Sequence, residues 1–274
     1  MTAATADRQD RGDHLLVTLR NPGRRNAVAP GMYAEIQAAL IEAAAANRLG
    51  AVVLTGADGY FCAGGDLNTL AERAAMSRQD RRARIEELHA TIRAIRACPR
   101  PVIAAVEGGA AGAGLSIALA CDLLVAANDA SFSAAYVRVG LVPDGGLTAS
   151  LARAVPAAFA ARMCLTGEPV AAPTLAAMGV VTDLVPPGSA ALRAAELAAR
   201  LAEGPLDSQA TIKHLLAEAR AQDFDPQLDA EAEAMADALA GAEAAEGLSA
   251  RRDRRLPAFR RHDITVLTRE QRRR

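Results

Sequence analysis

The chain has 274 residues, of which 51% are hydrophobic and 23% are charged, and its formal net charge is −1. This length and composition allow a sizeable buried core and give no overall charge bias toward nucleic acid. No run reaches the ~18 apolar residues that span a bilayer, and the four cysteines lack metal-ligand spacing. We therefore expect a reduced, cytoplasmic protein with neither a disulfide framework nor a bound metal.

Strand-like and helical patterns alternate through the first two thirds of the chain. Residues 1–10 carry no apolar pattern and are predicted to form a loose, flexible leader. Short runs rich in β-branched and small apolar residues predict strands at 14–19, 51–56, 101–108, 123–127, 130–134 and 180–185. Helical patterns follow residue 28 and then cover 81–98, 109–122, 145–154, 157–166 and 172–178.

This alternation predicts the α/β class, with parallel strands joined by right-handed crossovers. After about residue 187 only helical patterns remain, at 189–203, 206–221 and 226–253. We therefore divide the rest of the chain into an α/β core at 11–187, a helical C-terminal segment at 188–259 and a basic, arginine-rich tail at 260–274.

Two glycine-rich loops follow neighbouring predicted strands. The first glycine loop, "ADGYFCAGGDL" (57–67), follows the strand at 51–56, and the second, "GAAGAG" (109–114), opens an apolar helix. Glycine lets consecutive N–H groups face one point, and the first turn of a helix adds unpaired N–H groups. The two loops could therefore converge on one carbonyl oxygen as an oxyanion hole. The alternative for either loop alone is tight packing of a helix on a strand.

Five motifs occur in one fixed order along the chain. They are "NPGRRNAV", "LTGADGYFCAGGDL", "PVIAAVEGGAAGAGLSIALACDLLVAANDASF", "VGLVPDGGLT" and "LTGEPVAAPTLAAMGVVTDLV". As a set they resemble the crotonase (enoyl-CoA hydratase/isomerase) superfamily over roughly residues 14–260. The resemblance implies a spiral of stacked ββα units and a helical C-terminal segment that forms trimers, which often pair into hexamers. It also implies an acyl-CoA thioester substrate, so that coenzyme A is part of the substrate and no separate cofactor is needed.

The same resemblance implies positions for the substrate-binding groups. Gly65 and Ala113 stand where the family places the two backbone donors to the thioester carbonyl. Coenzyme A contacts are implied at Arg24, Arg25, Ala63, Asp66 and Leu67. For the two arginines, the alternative is a solvated turn in an arginine-rich protein.

Two glutamates that the prototype hydratases of this family use to add water are absent. Their positions are occupied by Ser116 and Tyr136, which we expect to line the acyl pocket. A serine hydroxyl is not basic at neutral pH, and an ordinary tyrosine phenol has a pKa near ~10. The glutamate-pair mechanism of hydration is therefore unavailable, and the chain resembles the isomerase-like members that lack both acids.

Asp144, in "GLVPDGGLT", is the remaining candidate for a catalytic base. In the superfamily an acid at this place resembles the base of several enoyl-CoA isomerases and of a ring-epoxide isomerase. The apolar neighbours Leu141, Val142 and Leu147 predict dry surroundings, which would strengthen such a base. The alternative is structural, because an aspartate before Gly-Gly at the start of a helix is a good N-cap.

Three functions follow from these interpretations. The first is an acyl-CoA isomerase in which Asp144 moves a proton while the backbone oxyanion hole stabilises the thioester enolate. The second is a hydratase or a ring-opening hydrolase in which Asp144 directs water. The third is a trimer that binds acyl-CoA without catalysis, with no role for nucleic acid or a membrane.

Overall fold

The structure is a computed structural model that describes residues 4–259, so the predicted basic tail lies outside the described residues. Within that range the chain forms nine strands. They are β1 (Thr5–Asp10), β2 (His14–Arg20), β3 (Ala51–Gly56), β4 (Val102–Val106), β5 (Gly109–Ala111), β6 (Leu123–Ala127), β7 (Ser131–Ser133), β8 (Val170–Ala171) and β9 (Asp183–Val185).

The same residues form eleven α-helices and one 3-10 turn. The helices are α1 (Pro30–Ala45), α2 (Leu67–Ala74), α3 (Arg78–Ala97), α4 (Ala113–Ala120), α5 (Leu147–Ala154), α6 (Ala157–Thr166), α7 (Ala172–Ala177), α8 (Ala190–Ala202), α9 (Leu206–Glu218), α10 (Phe224–Leu239) and α11 (Ala242–Arg252). The 3-10 turn is Ala135–Val139. None of these helices is both long and apolar enough to cross a membrane.

The nine strands form two sheets, and from β4 onward the chain passes between them. The larger sheet has the order β1-β2-β3-β4-β6-β9, and the smaller has the order β5-β7-β8. After β4 the chain adds β5 to the smaller sheet, and after β6 it adds β7 beside β5. This repetition is the spiral of ββα units, and it confirms the predicted α/β class.

The flexible leader predicted for residues 1–10 is wrong where the structure describes it. β1 pairs antiparallel with β2 in a register that runs from Thr5 opposite Arg20 to Asp10 opposite Leu15. Four of its six residues are exposed, as an edge strand permits. Pairing at an edge uses the backbone alone, so the polar run "TADRQD" gave no apolar pattern to detect.

Two helical predictions also need correction, and one helix was not predicted. The helix predicted at 109–122 contains β5 first, and only Ala113–Ala120 is helical. The single helix predicted at 226–253 is two helices, α10 and α11, interrupted at Ala240 and Gly241. The unpredicted helix α2 begins where the Asp66 carboxylate accepts a hydrogen bond from Thr69 N at 3.0 Å.

Helix α8 packs on the face of the larger sheet through a stripe of alanines. Its four buried residues recur every fourth position, at Ala190, Ala194, Ala198 and Ala202. The approach is so close that a Cβ on Gly50, just before β3, would lie 2.3 Å from Ala202 Cα. Small side chains thus let the C-terminal segment lie directly on the α/β core.

Lys213 of α9, the single lysine of the chain, joins the C-terminal segment to the core at a second place. Its ammonium lies 2.7 Å from Asp122 Oδ2 and donates to the carbonyl oxygens of Ile95 at 3.1 Å and Arg100 at 3.2 Å. Three acceptors thus match the three N–H groups of a lysine whose side chain is only 11% exposed. Burial raises the pKa of Asp122, and Lys213 acts against that shift.

We expect Lys213→Met to lower the free energy of unfolding by about 3 kcal/mol, because it leaves the carbonyl oxygens of Ile95 and Arg100 without their donor and Asp122 without its cation. The thermal midpoint should fall by roughly 6–12 °C. Arg220→Met is the control, since this exposed cation follows α9 and has no ion pair within the described range. Its midpoint should stay within about 2 °C of the parent protein. Similar melting of the two variants would contradict this role of Lys213.

Candidate active site

The two glycine loops lie against each other at the carboxyl ends of β3 and β4. Cys62 of the first loop pairs with Ala110 of the second in an isolated β-bridge. Ala111 N donates to Cys62 O at 2.9 Å, and Cys62 N donates to Gly109 O at 3.4 Å. Because the loops follow adjacent parallel strands, their backbones end at the same edge of the sheet.

Glycine is required where the two loops touch. Gly64 has a φ of +89°, and a Cβ on it would lie 2.6 Å from Ala111 O and 3.1 Å from Ala113 N. A Cβ on Gly114 would lie 2.3 Å from Cys62 O. A side chain at either position would therefore push one loop away from the other.

The two predicted oxyanion donors keep their N–H groups free. Among the described residues, neither Gly65 N nor Ala113 N donates a hydrogen bond to another group of the chain. Ala113 is the first residue of α4, so its N–H also lies at the positive end of that helix. A Cβ on Gly64, which precedes one donor, would lie 3.1 Å from the backbone nitrogen of the other. The loops therefore present two unpaired amides in one small region, as an oxyanion hole requires.

The turn at 21–28 fastens the first glycine loop from the other side. Val28 N donates to Gly64 O at 2.8 Å, and Ala63 N donates to Arg25 O at 2.9 Å. The buried Asn26 side chain donates to the carbonyl oxygens of Ala57 at 2.8 Å and Tyr60 at 2.6 Å. These hydrogen bonds join the turn and the loop into one unit. Arg24 and Arg25 lie at one edge of this unit, which we call the rim.

The residues predicted to contact coenzyme A lie together on this rim. The guanidinium of Arg24 forms an ion pair with Asp66, and that of Arg25 lies 5.5 Å from the centre of the Tyr60 ring. The pKa of Asp66 lies below its usual range. The hydrogen bond from the Thr69 amide is the main cause, and the hydrogen bond from Arg24 lowers the pKa further. The Asp66 carboxylate is thus engaged in capping α2 and orienting Arg24, while Leu67 beside it is 63% exposed.

Asp144, Tyr136 and Ser116 form one hydrogen-bonded group. The Tyr136 hydroxyl donates to Asp144 Oδ1 at 2.7 Å and lies 3.2 Å from Ser116 Oγ. The Ser116 hydroxyl also donates to the backbone carbonyl of Asp144 at 2.9 Å. Asp144 Oδ2 has no hydrogen-bond partner within residues 4–259. One carboxylate oxygen is therefore held in place and the other is available.

This group flanks the second glycine loop. Ser116 lies one turn along α4 from Ala113, and a Cβ on Gly112 would lie 3.9 Å from the Tyr136 ring. A Cβ on Gly145 would lie 2.7 Å from Ser116 Cβ. The segment that carries Asp144 therefore packs directly on the first turns of the helix that supplies the Ala113 donor.

Comparisons with known proteins agree with this arrangement. The sequence profile described as enoyl-CoA hydratase/isomerase matches residues 13–262. The chain belongs to the enoyl-CoA hydratase/isomerase family. The resemblance noted from the motifs is thereby confirmed.

Individual members of the enoyl-CoA hydratase/isomerase family resemble the chain over nearly its whole length. A probable enoyl-CoA hydratase of Rhodobacter capsulatus is 37% identical over 89% of this chain and 93% of its own. A 1,2-epoxyphenylacetyl-CoA isomerase of Escherichia coli is 33% identical over 89% of this chain and 94% of its own. The crystal structure of an enoyl-CoA hydratase from a Polaromonas species has a TM-score of 0.91 at 39% identity, covering 93% and 100% of the two chains.

These relatives establish the fold and the general chemistry of this family member. It has the crotonase fold and is an acyl-CoA enzyme of the enoyl-CoA hydratase/isomerase family. The names of the relatives include both hydratase and isomerase, so they do not separate the two activities. That distinction depends on the residues around the two glycine loops.

The interpretation of Asp144 as a helix cap is wrong. Helix α5 begins at Leu147, its cap position is Gly146, and no side chain caps it. Only the backbone carbonyl of Asp144 contributes there, by accepting from Leu147 N at 3.2 Å. The Tyr136 hydroxyl, which the sequence pattern did not link to Asp144, holds the carboxylate instead.

The expected apolar surroundings of Asp144 are also only partly formed. Leu147 is fully buried, but Leu141 and Val142 are 44% and 81% exposed in the described chain. Their side chains therefore do not enclose the carboxylate. The carboxylate accepts a hydrogen bond from the Tyr136 hydroxyl, and the Ser116 hydroxyl donates to the Asp144 backbone carbonyl.

Two other ionisable groups near the loops, Glu107 and Cys62, have structural roles. The Glu107 carboxylate accepts hydrogen bonds from Gly188 N at 2.9 Å and Ala190 N at 2.8 Å, which places it at the start of α8. Burial raises the pKa of the Cys62 thiol to about 12, so this cysteine is a packing residue. Residues 4–259 contain no group of three or more His, Cys, Asp or Glu side chains that could hold a metal ion.

One residue near the site, Tyr33, was not recognised from the sequence. It lies in the first turn of α1 and is only 7% exposed. Burial raises the pKa of Tyr33 above its ordinary value, and the charges of Cys62 and Asp144 raise it further. No motif marks this position, because an isolated tyrosine in an amphipathic helix looks like any other core residue.

Proposed function

We propose that this protein isomerises an acyl-CoA by moving a proton with Asp144. The substrate is a 3-enoyl-CoA or a cyclic or aromatic-derived acyl-CoA. The single observation that carries the proposal is that Asp144, held by Tyr136 through Oδ1, keeps Oδ2 free beside the loops that present the Gly65 and Ala113 amides.

For an enoyl substrate, the reaction is a double-bond shift with one group acting as both base and acid. Asp144 Oδ2 removes a proton from the α-carbon, and the C–H electron pair moves into the thioester to give a dienolate. The amides of Gly65 and Ala113 donate hydrogen bonds to the oxyanion and stabilise its charge, a contribution of about 3–4 kcal/mol for each donor. The carboxylic acid then returns the proton to the γ-carbon, and the double bond comes into conjugation with the thioester.

The residues beside Asp144 argue against hydration by a pair of carboxylates. Ser116 occupies one position of the glutamate pair, and Tyr136 occupies the other. Burial, and then the Asp144 carboxylate, raise the pKa of the Tyr136 hydroxyl above its ordinary value. Tyr136 therefore stays protonated and cannot activate water as a base. The second candidate function is hydration directed by Asp144 alone, which the name of the Rhodobacter capsulatus relative favours.

Two substrates distinguish these functions in one spectrophotometric assay. We expect a 3-enoyl-CoA to gain conjugated-enoyl absorbance when the purified protein is added, while crotonyl-CoA keeps its absorbance. Loss of absorbance from crotonyl-CoA, with no gain from the 3-enoyl-CoA, would establish hydration and contradict the isomerase. If neither substrate reacts, the test is repeated with a ring-containing acyl-CoA and product analysis by mass spectrometry, and no product there would overturn the proposal.

We propose in addition that the active protein is a homotrimer or a pair of trimers that binds the phosphates and the pantetheine arm of coenzyme A at Arg24 and Arg25. The support for assembly is a series of large apolar side chains exposed on α9 and α10. They are Ile212, Leu216, Phe224, Leu228, Met235 and Leu239. Such a series on neighbouring helices is typical of a surface that another chain covers.

A further inference from the structure

We infer that Tyr136 is the positioning residue for Asp144, one that sets where the carboxylate lies relative to the proposed oxyanion hole. This inference rests on the proposed function, since it assigns a role to Tyr136 within the same proton transfer. It differs from the expectation that Tyr136 merely lines the acyl pocket.

Tyr136 spans the gap between the second glycine loop and Asp144. One side of its ring faces Gly112, the residue before the Ala113 donor, with a distance of 3.9 Å from the ring to a Cβ built on that glycine. Its hydroxyl ends 2.7 Å from Asp144 Oδ1. The rigid phenol therefore acts as a spacer of fixed length between the base and one amide of the hole.

The backbone of Asp144 is already fixed without Tyr136. The Ser116 hydroxyl holds the Asp144 carbonyl at 2.9 Å, and Leu147 N donates to the same oxygen at 3.2 Å. Gly145 packs against Ser116 so closely that a Cβ would lie 2.7 Å from the serine Cβ. The freedom that remains is rotation of the Asp144 side chain, and the hydrogen bond from Tyr136 restricts that rotation.

The Tyr136 hydroxyl acts only as the donor in its hydrogen bond to the Asp144 carboxylate. Burial and the Asp144 charge raise the pKa of Tyr136, so it remains a donor across the working pH range. Tyr33 of α1 interacts electrostatically with Asp144, and also with Cys62 of the first loop, Arg73 of α2 and Glu87 of α3. Within the described chain none of them donates a hydrogen bond to Asp144.

A hydrogen bond to the charged form of an acid stabilises that form. The Tyr136 hydroxyl supplies such a hydrogen bond to Asp144 Oδ1, and Tyr136→Phe would remove it. The same contact keeps Oδ2 turned toward the substrate. Loss of the hydroxyl should therefore change both the rate and its pH dependence, whereas loss of a packing group should change the rate alone.

Tyr136→Phe tests this inference, because it removes one oxygen and keeps the ring. We expect kcat/KM on the pH plateau to fall about 10–100-fold, as a small misplacement of a reacting group does. The acid limb of the pH profile should move upward by about one pH unit. Tyr33→Phe is the matched control, since Tyr33 is another buried tyrosine that interacts electrostatically with Asp144 but makes no hydrogen bond to it within the described chain. Its acid limb should not move.

A second measurement needs no turnover. The carboxyl infrared band that disappears in Asp144→Asn reports protonation of Asp144 alone, and it should appear about one pH unit higher in Tyr136→Phe. If Tyr136→Phe loses rate while the infrared band and the acid limb keep their pH positions, the inference is overturned, because a loss of packing would then explain the lower rate. If Asp144→Asn is inactive and Tyr136→Phe is unchanged in rate and limb, the inference fails and the proposed function stands. If Asp144→Asn remains active, the proposed function itself fails.

Discussion

Asp144→Asn is expected to lower isomerase turnover roughly 10³-fold. The asparagine side chain has the same shape and can still accept the Tyr136 hydrogen bond, but it cannot take a proton from carbon. The free oxygen that we propose as the base is the one whose chemistry this substitution removes. Turnover is measured with the substrate that the absorbance assay identifies, at the plateau of the pH profile.

The same variant should fold as well as the parent protein. The Asp144 side chain caps no helix, because Gly146 occupies the cap position of α5 and no side chain caps it. The thermal midpoint should therefore stay within about 2 °C. Asp129→Asn is the matched control: this exposed carboxylate follows β6 and makes no hydrogen bond or ion pair through its side chain in the described chain. It should keep both rate and midpoint, whereas an Asp144→Asn protein that melts early and keeps its rate would refute a catalytic Asp144.

Gly64→Ala is expected to reduce kcat by roughly 10²–10³-fold. The new methyl group would meet Ala111 O at 2.6 Å and Ala113 N at 3.1 Å, so the two glycine loops must separate. Separation moves one amide donor away from the developing oxyanion. Binding of the coenzyme A portion should change less, because the turn at 21–28 holds the rim of the first loop through its own hydrogen bonds. The expected pattern is therefore a large fall in kcat with a small change in KM.

Gly59→Ala is the matched control for backbone strain. Gly59 lies in the same loop with a φ of +71°, close to the φ of +89° at Gly64, but a Cβ on it would meet nothing within 4 Å. Both alanines carry the cost of a left-handed backbone, of order 1 kcal/mol, and only Gly64→Ala adds the collision. Equal losses of turnover in the two variants would show that strain, and not displacement of the donor, explains the effect.

The approach of the two glycine loops could be predicted from the sequence because each loop is a local feature. A buried strand such as β3 is visible as a β-branched run, and the glycines that follow it allow the backbone to turn. The motif resemblance then related the two loops to each other, and the structure places them in contact through Cys62, Ala110 and Gly64. No long-range side-chain pairing had to be inferred.

Features that depend on pairing without a pattern were missed. Strand β1 pairs with β2 through its backbone, and its exposed polar side chains carry no periodic signal. The break between α10 and α11 at Gly241 lies inside a continuous helical pattern. Tyr33 lies in the first turn of α1, which starts directly after the turn that pairs with the first glycine loop.

The sequence identified Asp144 as the candidate acid, but it did not determine the role of this residue. A local pattern allows Asp144 to be either a cap or a base, since both read as an aspartate before two glycines. The tertiary structure decides against the cap, because the 3-10 turn at Ala135–Val139 brings the Tyr136 hydroxyl to the carboxylate and α4 brings Ser116 to its backbone. Contacts between separate elements depend on how the whole chain packs, and they therefore emerge only once the fold is complete.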